Sequence, residues 1–165
     1  MAAYKAGSVF KKSALAGATG AMLLVIPVVS HFEGKLNSAY IDPVGVPTIC
    51  YGHTEGVRLG QVMTDEECDA LLAYDLGVYI SGVEALVTVP MPDTRKAALT
   101  SFAYNVGLTN LMKSTLLKKL NKGETVAACN ELRKWVYAKG KKLPGLVKRR
   151  EAERELCLVG TTEET

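Results

Sequence analysis

Tyr40-Ile41-Asp42-Pro43-Val44-Gly45-Val46-Pro47-Thr48-Ile49-Cys50-Tyr51-Gly52 is a run of β-formers broken by glycine and proline. Such a composition predicts short strands joined by a turn near Pro43 to Gly45. Downstream the pattern changes to helical periodicity. Thr64 followed by Glu67 is a capping box, and Asp65 and Glu66 add acid to the first turn, where the helix dipole favours it. Cys68, Leu71, Leu72, Leu76, Tyr79, Ile80 and Val83 then recur at helical spacing, a helix long enough to bridge two lobes.

Further helices are expected from Asp93 to the glycine cap at Gly107, with Ala97, Ala98, Leu99, Phe102 and Ala103 buried. Others should run from Ser114 to Gly123, from Thr125 to Ala138, and onward from Pro144. Upstream, Pro27 reads as a first-turn residue of a helix whose apolar face is Val28, Val29, Phe32 and Leu36. The expected fold class is therefore α+β, a small β-bearing N-lobe and a helical C-lobe joined by a long helix. No internal repeat or low-complexity segment is visible, and the last few residues read as frayed.

At 165 residues, 48% of them hydrophobic, the chain has material for a sizeable core. A formal charge of +3 fits an anionic polymer and is too small to indicate nucleic acid. Basic residues do gather between Arg133 and Arg154, among them Lys139, Lys141, Lys142, Lys148, Arg149 and Arg150. That cluster reads either as a solvated helix face or as a footprint for an anionic wall or membrane surface. Cys50, Cys68, Cys129 and Cys157 lack CxxC spacing and have only two histidines to help them, so no metal site is expected.

Lys5, Lys11 and Lys12 precede the uncharged stretch Ser13 to Ser30, the charge arrangement of a segment inserted with its N-terminus in the cytoplasm. Eighteen residues just reach bilayer length. The first half is alanine and glycine, and Pro27 interrupts the apolar run from Met22 to Val29, so the membrane hold should be weak. Three readings compete: a signal peptide cleaved after Ser30, a permanent anchor, and an uncleaved anchor that can leave the bilayer. The third is favoured, because cleavage would put Glu33 on a frayed terminus, and a catalytic acid needs a fixed position. Behind an export signal, four cysteines favour two disulfides. The pairing expected is Cys50–Cys68 and Cys129–Cys157, each within a lobe, with an isomer joining the lobes as the alternative.

Glu33, Asp42 and Thr48 follow that stretch at the spacing Glu-x8-Asp-x5-Thr. Glycoside hydrolysis needs an acid to protonate the leaving oxygen and a second carboxylate across the cleft; a hydroxyl can hold the water. Each residue alone has a plainer role: a solvated helix end, a turn residue before Pro43, a β-former. With twelve Glu, five Asp and thirteen Thr, chance predicts about 0.03 occurrences of the template. The flanking residues carry more weight.

Glu33-Gly34, Tyr40, Asp42, Gly45, Thr48 and Gly52-His53 as a set resemble the bacteriophage-type lysozymes, the endolysin muramidases. The resemblance continues through Thr64 to Leu76, Phe102-Ala103-Tyr104-Asn105-Val106-Gly107, Trp135, and Gly145 to Arg150 followed by Glu153. The cysteines and weak anchor resemble the lambdoid-phage subgroup with a signal-arrest-release segment. It implies residues 1–30 as that segment and 31–165 as a muramidase domain. The domain would cut the β-1,4 bond from N-acetylmuramic acid to N-acetylglucosamine in peptidoglycan and lyse the host without a cofactor.

The same resemblance makes Glu33 the general acid, Asp42 the opposing carboxylate and Thr48 the hydroxyl that places the attacking water. His53 would pair structurally with Asp75, and Arg149 or Arg150 would reach Glu33. Leu146 departs from the family here, standing where a gapped alignment puts an arginine. Implied partners are peptidoglycan strands, the inner membrane through residues 13–30, and a holin or pinholin acting upstream; a monomer is expected, held at the periplasmic face and then free in the periplasm. The alternatives are a lytic transglycosylase on the same glycan and a membrane-anchored wall-binding module without catalysis.

Overall fold

The computed structural model describes residues 19–161. Lys5, Lys11, Lys12 and the first part of the Ser13 to Ser30 stretch lie outside them, as do residues 162–165. The first element is α1 (Gly20–Glu33), N-capped by Thr19, whose Oγ1 accepts from the Met22 amide. Pro27 is interior to this helix, not in its first turn. The expectation failed because the capping hydroxyl and the small residues of the first turn start the helix two turns earlier. Ala21, Val25 and Val29, spaced by four, are fully buried on one face. That face packs on the long helix α2 (Asp65–Leu86) and on α3 (Asp93–Val106).

Two antiparallel strands follow α1: β1 (Leu36–Ile41) and β2 (Pro47–Cys50), with Tyr40 opposite Thr48. The far edge of β1 is covered by residues 61–63, through Ala39 N–H to Gln61 O at 2.9 Å and Met63 N–H to Asn37 O at 2.8 Å. Both halves of the Thr64/Glu67 capping box are formed. Twenty-two residues make α2 about 33 Å long, enough to serve two cores. Its Cys68, Leu72, Leu76 and Ile80 join α1 and β2 in one core, while Val83 belongs to the other.

The second core is built on α3, whose Ala98, Leu99, Phe102 and Ala103 are wholly buried. Gly107 (φ 91°) ends α3 and starts α4 (Leu108–Lys113), a short helix not expected from the sequence. Then come α5 (Thr115–Asn121) and α6 (Thr125–Glu131). The helix expected over Thr125 to Ala138 stops at Glu131 and tightens into a 3₁₀ turn at Leu132–Lys134. The chain then enters a hairpin of β3 (Tyr137–Ala138) and β4 (Lys141–Lys142), turned by Lys139 (φ 49°) and Gly140. Arg150 Nε donates to the Trp135 carbonyl at 2.9 Å, which holds the chain where it leaves the 3₁₀ turn for the hairpin. The last helix, α7 (Pro144–Leu158), opens on proline as expected.

Two disulfides are formed. Cys50–Cys68 joins the end of β2 to the first turns of α2, with Cα atoms 5.1 Å apart. Cys129–Cys157 joins α6 to α7 at 5.8 Å. Each lies within one lobe, the pairing expected from the sequence. Among the described residues, no helix is long and apolar enough to cross a membrane.

Candidate active site

Glu33 is the last residue of α1, fixed there because Gly34 at φ 69° lets the chain leave the helix toward β1. Its side chain is about one-fifth exposed, and its Oε1 accepts from Arg149 Nη1 at 2.6 Å. The turn between β2 and α2 passes its other oxygen: a Cβ on Gly52 would lie 3.8 Å from Glu33 Oε2. That spacing is ordinary, so glycine is required at 52 by its φ of 90° and not by room. Arg149 also stacks on the Phe32 ring at 5.7 Å.

Asp42 and Thr48 are organised on a common post, the backbone of Val46. Asp42 Oδ1 accepts from the amides of Val44 at 2.9 Å and Val46 at 2.8 Å. Thr48 Oγ1 donates to the Val46 carbonyl at 3.0 Å. The Asp42 Oδ2 atom has no hydrogen-bond partner among the described residues. A hydroxyl that donates to a carbonyl keeps its lone pairs for a water's proton. Thr48 is almost wholly buried, whereas Asp42 is half-buried. The turn thus presents one carboxylate oxygen and one accepting hydroxyl from neighbouring positions.

His53 Nδ1 lies 2.7 Å from Asp75 Oδ2 on α2, and its Nε2 lies 3.0 Å from the Glu55 carbonyl. The hydrogen bond to Asp75 raises the His53 pKa above its ordinary value, against a smaller opposing effect of burial. Tyr104 of α3 reaches across to donate to the Tyr51 carbonyl at 2.8 Å. Burial pushes its hydroxyl pKa strongly up, so it stays a neutral donor. His31 stacks edge-on with Phe32 at 4.8 Å and touches none of these groups through a hydrogen bond among the described residues.

The basic run of the sequence divides in space. Arg149 and Arg150 are buried; Arg133 and Arg154 both pair with Glu151, and Lys134 with Glu131. Lys139, Lys141, Lys142 and Lys148 are exposed. The sequence left Arg149 and Arg150 as equal candidates for Glu33, and Arg149 is the one that reaches it. Arg150 instead bonds Glu153, Asn105 and the Trp135 carbonyl. The roles of Ser101 and Glu153 were not found from sequence. The available signal was the Arg-Arg-x-x-Glu spacing on a helix, which puts one acid within reach of both arginines.

Among the described residues, no group of His, Cys, Asp and Glu is placed to hold a metal. The carboxylates present suit proton transfer and charge stabilisation.

The family profile described as phage lysozyme matches residues 30–153. The SAR-endolysin of Bacteriophage PS119 is 46% identical over 129 residues, spanning 78% of this chain and 77% of that protein. Among solved structures, the active form of the P1 phage endolysin Lyz is 31% identical with a TM-score of 0.76, covering 90% of this chain and 88% of that one. The secreted inactive form of the same endolysin, 26% identical, gives a TM-score of only 0.59 at coverages of 90% and 99%. The chain belongs to the phage lysozyme family. It is an enzyme of the glycoside hydrolase type, a muramidase of the endolysin kind, with the fold of that family.

Proposed function

We propose that the enzyme hydrolyses the β-1,4 bond from N-acetylmuramic acid to N-acetylglucosamine and that its activity waits on release from the membrane. Glu33 protonates the leaving oxygen, Asp42 stabilises the positive sugar ring or its covalent successor, and Thr48 holds the water. Residues 1–30 act as a signal-arrest-release segment, tethering the chain at the periplasmic face of the host inner membrane, and residues 31–165 as the catalytic domain. A holin or pinholin acts upstream by collapsing the membrane potential, and the released enzyme is a periplasmic monomer on peptidoglycan strands.

The observation that carries this reading is that α1 belongs to both parts. Ala21, Val25 and Val29, from the segment that would span the bilayer, are wholly buried in the domain on the helix that ends at Glu33. One helix cannot be in lipid and in this core together. Bilayer and core both remove apolar surface from water, so the balance rests on groups that gain in one place only. Leu23, 57% exposed in the docked helix, gains only in lipid; the Glu33–Arg149 pair gains only on docking. The higher likeness to the active form of a related endolysin fits the docked arrangement as the working one.

The products test the chemistry. Digestion of purified peptidoglycan should yield reducing muramic acid ends in step with cleavage. Anhydro-muramic acid ends without new reducing ends would make the enzyme a lytic transglycosylase, and no cleavage would leave a wall-binding module.

A further inference from the structure

Behind the Glu33–Arg149 contact lies a buried charge cluster that the proposed chemistry does not use directly. Glu153 of α7 has no exposed surface. Its Oε1 accepts from Ser101 Oγ at 2.7 Å and from Arg149 Nε at 3.0 Å. Its Oε2 accepts from Arg150 Nη1 at 2.7 Å. Arg149 Nη2 donates in turn to the Ser101 carbonyl at 3.1 Å. We propose that Glu153 is a positioning residue for the reaction: it locks Arg149 in the one orientation that aims Nη1 at the Glu33 carboxylate.

The geometry argues for more than neutralisation of Arg150. A guanidinium is planar with donors fixed in a fork. With Nε held by Glu153 and Nη2 held by Ser101, rotation about the Cδ–Nε bond is blocked, and Nη1 is the end left to face α1. Neutralising Arg150 would need one carboxylate oxygen; the other is occupied by Arg149 and Ser101. Charge counting adds a second consequence. Arg149, Arg150 and Glu153 sum to one unpaired positive charge in a buried place, and Glu33 completes the set when α1 docks. Burial pushes the Arg150 pKa down, against the pull of Glu153 and Glu33.

The inference rests on Glu33 as the general acid, and the experiment separates the two. Rates of reducing-end formation would be measured across pH for the full chain and for Glu153→Gln. The titratable groups around Glu33 are Arg149 and Arg150 of α7, Tyr104 of α3, Tyr79 of α2 and His31 of α1. Among the described residues His31 makes no hydrogen bond to the site, its contact being the Phe32 ring. Removing the Glu153 charge leaves two arginines facing Glu33, which favours its ionised form. The alkaline limb of the profile should move down by about one pH unit, with kcat about tenfold lower at the optimum and KM unchanged.

The double variant Arg150→Met with Glu153→Leu removes the acceptor as well as both charges, leaves Arg149 and Glu33 as a balanced pair, and keeps the experiment decisive if the single variant fails to fold. Its limb should return toward that of the wild-type chain while kcat stays low, because Arg149 has lost its anchor. A wild-type kcat in the double variant, or an unmoved limb and full kcat in a folded Glu153→Gln, overturns the proposal. A wild-type chain that forms no reducing ends would refute the muramidase reading itself.

Discussion

Arg149 and Glu33 stand 116 positions apart in sequence and 2.6 Å apart in space. The contact ties the last residue of the first helix to the last helix, so the proposed acid is complete only when α1 is home. Arg149 is itself only 3% exposed and makes four hydrogen bonds to three residues, Glu33, Glu153 and Ser101. Removing it leaves Glu33 without its partner and Glu153 with only Arg150 and Ser101, and breaking such a cluster costs about 3–5 kcal/mol. Arg149→Met should lower the thermal midpoint by many degrees. Arg149→Lys should restore charge but not the fork, giving intermediate stability and little activity, as calorimetry and lysis assays would record.

Glu33→Gln keeps the side chain's shape and removes the proton donor. Loss of general acid catalysis alone lowers the rate by roughly 10²- to 10⁴-fold. The variant should fold, by circular dichroism, and clear no cells; near-normal clearing would remove Glu33 from the mechanism.

Asp42 holds its own turn through Oδ1 and leaves Oδ2 for the proposed charge stabilisation. Asp42→Asn retains the Oδ1 acceptor for Val44 and Val46, so activity should fall with the melting point nearly unchanged. Asp42→Ala loses both bonds and should cost a further 1–3 kcal/mol or so. A fully active Asp42→Asn would point to the transglycosylase instead.

The His53–Asp75 pair predicts a pH dependence of stability. The folded-state pKa of His53 is raised, chiefly by Asp75. Its contribution is therefore full below the unfolded value, about 6.5, and is lost as pH rises through the folded value. Denaturant unfolding of the wild-type chain and Asp75→Asn should differ most in mildly acidic buffer and converge above neutrality. A gap that widens toward alkaline pH would contradict the assignment.

Gly20 sits against Asp93 at the start of α3: a Cβ at position 20 would lie 2.2 Å from Asp93 Oδ2. Leucine at Gly17 should strengthen anchoring by about 1 kcal/mol or less and delay lysis. Leucine at Gly20 should delay lysis too, and must also displace Asp93, so the enzyme freed by detergent should be less active. The contact with Asp93 is a constraint on Gly20 that the sequence does not show.

Much of the rest was legible because local rules decided it. Thr64 and Glu67 announce the start of α2, Gly107 ends α3, and the cysteines pair within lobes because β2 abuts the start of α2 and α6 abuts α7. Asp42 and Thr48 are neighbours because both bond the backbone of Val46, a local matter over a few residues. What escaped depends on contacts distant in sequence. Whether Arg149 or Arg150 meets Glu33 follows from which side of α7 faces α1, and the turn at Trp135 is held by Arg150 reaching its carbonyl from a distant helix. Pro27 misled because a proline usually marks a first turn; here tertiary packing of Ala21, Val25 and Val29 carries the helix through it.

The central claim is that one helix serves first as tether and then as the mount for Glu33. Membrane and soluble periplasmic fractions from cells making the chain would be assayed for muramidase activity before and after collapse of the membrane potential, and the released protein weighed by mass spectrometry. The account predicts an inactive membrane-bound fraction, and an active soluble protein that still carries residues 13–30. Active enzyme in the membrane fraction, or released protein beginning at His31, would contradict it.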